Sequence, residues 1–192
     1  PVVCYGGPAV IENIIFKNGV GSNIFGYIRG GAVYVEFTQV TIRNCVFENN
    51  SVDVGEFFGG AAGGAVCNYF GSLTVESCNF KNNTSQGSSE FGGGGAVYST
   101  NGNLLITDSE FENNSSLFSG GGIYAEYAKN YSVTNCTFTG NTAGNGGGMC
   151  NDNSSPTLTD CTFTSNTASL YGGGMYNYDN SSPTLLGCMF TS

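Results

Sequence analysis

Apolar residues recur along this chain with a period of two, in short runs separated by bends. Leu73, Val75, Cys78 and Phe80 alternate with Thr74, Glu76 and Asn79, and Val40, Ile42, Cys45 and Phe47 repeat the pattern one unit earlier. Period two is the signature of strands that bury one face. The alternation slips by one residue at Asn44, Ser77, Asp108, Asn135 and Asp160, always three residues before a Phe. These are turn-forming residue types, so a strand is expected to bend there and resume. A second turn follows the Phe at Asn49-Asn50, Asn82-Asn83 and Asn113-Asn114. No window carries an i, i+3, i+4, i+7 apolar stripe, and Gly, Asn, Ser and Thr are poor helix interiors, so a helical reading fails.

The strands are organised by a repeat. Blocks of type G-G-[A/G]-[V/I/M]-[Y/C] begin at Gly30, Gly63, Gly94, Gly120, Gly146 and Gly172. Each is followed some 17 residues later by the Phe of a C-x-F-x-x-N block; the full Phe series is Phe16, Phe47, Phe80, Phe111, Phe138, Phe163 and Phe190. A fixed period of about 25 to 33 residues means one supersecondary unit stacked many times. Short strands with three bends per unit, stacked at about 4.8 Å, predict an all-β fold, a single parallel β-helix over residues 1–192 with about seven coils.

Stacking explains why the repeats are chemical copies. The Phe residues are expected to form an internal aromatic ladder, each burying area worth about 1.5–3 kcal/mol. Asn50, Asn83, Asn114, Asn141 and Asn166 are expected to form a second ladder, with side-chain amides bonding along the axis. From each Phe to the next Gly block takes 14, 16 and 14 residues in the first three coils, then 8 or 9. Segments 19–29, 52–62 and 85–93 therefore read as extended loops on one side of the rod. Phe25, Tyr27, Phe57, Phe58 and Phe91 lie in them and are candidate contact residues, since loops on a rigid scaffold commonly carry recognition. Covering the adjacent sheet is the plainer alternative for the same residues.

Composition narrows the partners. Thirty-one Gly and no Trp are unlike an ordinary globular domain, while 40% hydrophobic residues argue against disorder. Net charge is -9 with five basic residues in all, so no basic stripe exists for nucleic acid and none for an anionic membrane surface. No apolar run approaches the roughly 20 residues of a spanning helix, and membrane insertion is not expected. Eight cysteines suit an oxidising compartment. With no His and no C-x-x-C pair, neither a metal nor a cofactor is expected.

The paired motifs G-G-A-[V/I] and F-x-x-N resemble the repeats of the polymorphic outer membrane proteins of chlamydiae, which are surface adhesins and autotransporters. They are similar also to many secreted proteins with a pectate-lyase-like right-handed β-helix. Phe47-Glu48-Asn49-Asn50, Phe80-Lys81-Asn82-Asn83, Phe111-Glu112-Asn113-Asn114, Phe138-Thr139-Gly140-Asn141 and Phe163-Thr164-Ser165-Asn166 fit; Phe16-Lys17-Asn18-Gly19 departs. The resemblance implies a right-handed β-helix displayed outside a cell, at its surface or beyond. It fixes neither ligand nor source, and no autotransporter barrel is present in the sequence.

Catalysis is not expected. Glycoside hydrolysis needs two carboxylates about 5–10 Å apart, and the acidic residues read as single. Asp108 and Asp160 share a turn position with Asn135 between them, and Glu48 and Glu112 are separated by Lys81. The Thr137/Thr139 and Thr162/Thr164 pairs are too few for an ice-binding plane. N-x-[S/T] sequons begin at Asn49, Asn82, Asn83, Asn113, Asn114, Asn130, Asn135, Asn153 and Asn180. Asn82 and Asn113, next to ladder positions, should point outward and be the better glycan acceptors.

Cys45, Cys78, Cys136, Cys161 and Cys188 lie two before a Phe and should face the interior. The equal offset of eleven residues in Cys67/Cys78 and Cys150/Cys161 favours cross-lumen disulfides between those pairs, although bonding between stacked cysteines of adjacent coils is the alternative. The sequence opens after a Gly pair and closes at Phe190-Thr191-Ser192 without a polar cap. Either the parent chain is longer or copies stack head to tail, which would build filaments. In the head-to-tail form, Cys4 and Cys188 are the candidates for a covalent joint. The expected function is a non-catalytic extracellular structural or surface protein, a head-to-tail segment of a glycosylated fibre, with an adhesin binding through its aromatic loops as the alternative.

Overall fold

The computed structural model describes residues 1–24, 27–53, 60–87 and 92–192, with the backbone alone described at 22–24 and 27–28. The chain winds as a parallel β-helix. Three of its walls are seven-stranded sheets in which each strand pairs with its counterpart one coil away. The first wall runs from Val2–Tyr5 through Val33–Glu36, Val66–Tyr69, Val97–Thr100, Ile123–Glu126 and Met149–Asp152 to Met175–Tyr178. The second begins at Ala9–Glu12 and ends at Thr184–Leu186; the third begins at Ile15–Lys17 and ends at Met189–Thr191. Seven rungs are present in each, as the Phe series predicts.

The register is strict because identical residues stack. Phe16 pairs with Phe47, Phe47 with Phe80, and the series continues to Phe163 with Phe190. Their rings lie face to face, with centroids 4.5–4.9 Å apart and planes within 11° of parallel. The strand spacing sets that distance, and the lumen leaves no room for the rings to splay. Val33, Val66, Val97, Ile123 and Met149 fill the opposite wall, and Val40, Leu73, Leu104 and Leu158 the second.

The Asn ladder is continuous. Asn83 Oδ1 accepts from both the backbone N–H and Nδ2 of Asn50, at 3.0 and 2.9 Å, while Asn83 Nδ2 donates to the Phe47 carbonyl and to Asn114 Oδ1. Asn114 and Asn141 repeat the pattern, and Asn166 receives the last link. Every turn amide that the bend strips of a sheet partner is thus answered by the next coil.

Each coil corner is a single residue in the left-handed region. Asn44, Ser77, Asp108, Asn135 and Asp160, where the alternation slips, have φ of 51 to 53°. One strained residue rotates the strand by a wall without breaking the ladder, and Asn and Asp tolerate that conformation best. The corner between the first and second walls departs from this economy. Phe37, Phe70 and Tyr127 hold φ of 49 to 54° there, a bulky residue type that rarely adopts it. At the Gly blocks the first residue supplies a positive φ and the second a close approach. A Cβ on Gly63 would strike the Val66 carbonyl oxygen, and one on Gly64 the carbonyl oxygen of Gly95 one coil away.

Two features were not anticipated. The segment after each ladder Asn is a fourth wall of five strands: Ser51–Asp53, Thr84–Gln86, Ser115–Ser116, Thr142–Asn145 and Thr167–Tyr171. The first predicted loop, 19–29, contains an antiparallel hairpin of Ser22–Ile24 and Tyr27–Arg29, extended by Ala61–Ala62 from the second. The side chains of Phe25, Tyr27, Phe57, Phe58 and Phe91 lie outside the described residues.

The predicted cross-lumen disulfides do not form. All eight cysteines are free thiols. Cys78 and Cys161 line the lumen, whereas Cys67 and Cys150 sit outside it among Tyr34, Tyr98 and Tyr124. Both are second in their strands, so their neighbours Val66 and Asn68, or Met149 and Asn151, take the inward positions. The covalent joint through Cys4 and Cys188 also fails on register. Cys4 pairs with Val35 in the column that ends at Asn177, while Cys188 continues the column of Cys161 in the third wall.

Replacing Asn114 with Ala should cost about 3 kcal/mol or more, because the Asn83 amides and the Phe80 carbonyl lose buried partners. Asn113→Gly, at the exposed corner beside it, should change stability by less than about 0.5 kcal/mol, since the equivalent corner of the next coil is already Gly140. Denaturant unfolding of the two variants measures the contrast.

Candidate binding face on the first wall

The outward positions of the first wall form two parallel columns. The second residue of each strand gives Val3, Tyr34, Cys67, Tyr98, Tyr124, Cys150 and Tyr176; the fourth gives Tyr5, Glu36, Tyr69, Thr100, Glu126, Asp152 and Tyr178. Parallel in-register pairing makes each column contiguous, so residues of one chemistry become neighbours through stacking alone. The result is a phenol column beside a carboxylate-rich one.

Hydrogen bonds tie the columns diagonally. Tyr98 Oη donates to Glu126 Oε2 at 2.6 Å and Tyr124 Oη to Asp152 Oδ2 at 3.3 Å, each reaching one coil forward. Burial, reinforced by the Glu126 charge, pushes the Tyr98 phenol well above its usual value, and burial acts likewise on Tyr124. Asp152 is also raised, by burial first and then by the like charges of Glu126 and Asp179. Arg29 caps the other end of the face: Nη1 donates to Tyr34 Oη at 2.9 Å, and the guanidinium lies 4.0 Å from the centroid of the Tyr69 ring. Burial raises Tyr34 to about 12, so it stays a neutral phenol. Between these ends a cleft of about 280 Å³ is lined by Arg29, Tyr69, Phe70, Tyr98, Asn101 and Glu126. Flat aromatic faces beside fixed hydrogen-bonding groups can hold a ligand that is apolar on one side and polar at its edge.

Glu126 and Asp152 are Cα partners on adjacent strands. The sequence reading found no such pair, yet both residues lie six after the first Gly of their blocks, Gly120 and Gly146, and counting from there would have found them. The acidic residues that were singled out are structural. Asn135 Nδ2 bridges to Asp108 Oδ1 at 2.6 Å, Lys17 pairs with Glu48 at 2.7 Å and Lys81 with Glu112 at 3.0 Å. Among the described residues no group of three or more Cys, Asp or Glu is placed to hold a metal ion.

The candidate glycan acceptors occupy corners, except Asn130, which sits at a bulge within the strand Lys129–Thr134. Asn49, Asn82, Asn113, Asn130, Asn135 and Asn180 are exposed and Asn153 half-buried, every one with positive φ. Asn83 and Asn114 also begin sequons, but both are fully buried in the ladder.

A family model described as a right-handed β-helix region matches residues 88–192. The chain belongs to the right-handed β-helix family. No curated protein and no solved structure matches it. The matched coils are the short, regular ones that carry the Glu126–Asp152 pair, and the chain continues the same winding in the N-terminal direction through the longer coils.

The raised pKa of Asp152 has a stability consequence with a definite sign. The folded protein favours its neutral form, so ionised Asp152 opposes folding. The penalty is absent below the ordinary carboxylate value of about 3.9 and grows as pH rises through the higher folded value. Asp152→Asn should therefore raise Tm at neutral pH by a degree or two on the order of what a fraction of a kcal/mol gives in a chain of this size. The gain should vanish near pH 3. Thermal melts of both proteins across that range check it.

Proposed function

We propose that this chain is a non-catalytic structural segment of a surface or extracellular protein, a rigid rod whose coils act as spacer and display scaffold. The observation that carries the reading is the filled, uninterrupted lumen: seven stacked Phe rings beside the Asn50–Asn166 ladder, with every coil bonded to the next. Such an interior holds shape along its axis, and among the described residues side chains fill it. The two carboxylates that do come together are each held by a tyrosine hydroxyl, which suits them to recognition better than to proton transfer. The resemblance to polymorphic outer membrane protein repeats supports the surface location, and corner sequons with exposed acceptors at Asn49 and Asn82 support glycosylation.

In the fibre form of this proposal, copies associate head to tail. A second reading, an adhesin, is favoured by the aromatic and acidic cleft on the first wall.

Electron microscopy of native material separates the two. The fibre form expects uniform filaments with an axial repeat of about 30–35 Å, seven strand spacings. Discrete rods, together with ligand capture that is lost in Glu126→Gln, would replace it with the adhesin. Release of new sugar ends or unsaturated products from a polysaccharide panel would overturn the non-catalytic reading. Intact mass equal to the bare chain would remove the glycans.

A further inference from the structure

The column two residues before each Phe is interrupted, and the interruption isolates one pair of thiols. Its members from the first coil onward are Ile14, Cys45, Cys78, Ser109, Cys136, Cys161 and Cys188. Cys45 and Cys78 therefore have no thiol neighbour but each other in this column. Ser109 closes the pair on one side, its Oγ accepting from the Cys78 backbone N–H at 3.1 Å, and Ile14 closes it on the other.

The backbone is set for a bond between them. Asn79 N donates to the Cys45 carbonyl at 2.9 Å, and Val46 pairs with Asn79 immediately afterwards. Strand spacing of about 4.8 Å falls inside the Cα separation that a disulfide spans, roughly 4.4–6.8 Å. Each thiol is directed at a carbonyl two residues back, Cys45 at Arg43 (3.2 Å) and Cys78 at Glu76 (3.3 Å). Cys45 and Cys78 are 1% and 3% exposed, and a shallow outer cleft of about 350 Å³ at the corner of the second and third walls, lined also by Asn44, Ser77, Asp108 and Glu110, is the opening that both residues touch.

We propose that Cys45 and Cys78 form an axial disulfide that staples the second coil to the third when a low-molecular-weight disulfide is available as oxidant. The thiolate of one cysteine attacks the oxidant's S–S bond and releases one small thiol, leaving a mixed disulfide. The second cysteine, losing its proton, then attacks the protein sulfur and expels the second small thiol. Two protein S–H groups become one S–S bond, and both electrons and both protons end on the two released thiols. Burial holds the Cys78 thiol up at about 11, so oxidation should quicken as pH rises. The placement has a mechanical sense. Cys45 and Cys78 are 33 residues apart, against 25 for Cys136 and Cys161. The bond would close the longer stretch of sequence, where the unfolded chain has more freedom to lose.

The test uses the full chain, incubated with oxidised glutathione under native conditions, and then alkylated and cut without reduction by a Glu-specific protease. Cleavage after Glu48, Glu56 and Glu76 puts Cys45, Cys67 and Cys78 on three different peptides. The expected product is a Cys45–Cys78 linked pair with a mass lower by about 2 Da than the two free peptides. Its formation should be faster at pH 9 than at pH 7, survive Cys67→Ser, and raise Tm by about 5–10 °C. Recovery of both peptides alkylated or glutathionylated, or of either joined to Cys67, would overturn the proposal. No variant needs to fold for that result to be read.

Discussion

The hydrogen bond from one coil to the next is the interaction on which everything else rests. Parallel strands pair only with their own counterparts 25 to 33 residues away, so each coil is specified by its neighbour and not by distant sequence. Once that bond is fixed, identical residues must stack. A Phe meets a Phe, an Asn meets an Asn, and two Gly backbones come closer than any side chain would allow. The Asn amide closes the scheme at the corner, where backbone groups turn away from the sheet and would otherwise be buried without partners.

The same rule builds the outside. Tyr98 reaches Glu126 and Tyr124 reaches Asp152 because the columns lie side by side and advance in step. A surface made this way is written one position at a time. A single acidic residue at the sixth place after a Gly changes a whole stripe when its neighbours carry the same change. The rod thus separates its tasks: inward positions hold the shape and outward positions are free to vary.

Much of the fold was legible because repetition amplifies a weak signal. One slip at Asn44 means little, but five slips at one offset locate a corner, and all five are left-handed in the structure. The fourth wall was hidden because its strands, such as Thr84–Gln86, are polar and lack alternation; their register comes from the Asn that precedes them. The site was less legible than the fold. Cys67 and Cys78 were paired by counting residues between them, whereas the face a side chain takes depends on its place within its strand. Glu126 and Asp152 escaped notice because acids were compared across turns and not by distance from the Gly block. The side chains of the loop aromatics Phe25, Tyr27, Phe57, Phe58 and Phe91 fall outside the described residues, so the candidate face rests on wall residues that composition alone does not single out.

The Asn ladder has a sense of direction. In each link the amide nitrogen of one coil points toward the C-terminal end and the amide oxygen toward the N-terminal end, from Asn50 to Asn166. Aligned side-chain dipoles add, as aligned peptide dipoles do in a helix. The ladder is therefore vectorial, and its acceptor end is closed by the Gly19 N–H, which donates to Asn50 Oδ1 at 2.9 Å. Whatever meets it along its axis, be it another coil or another copy, encounters two chemically different ends.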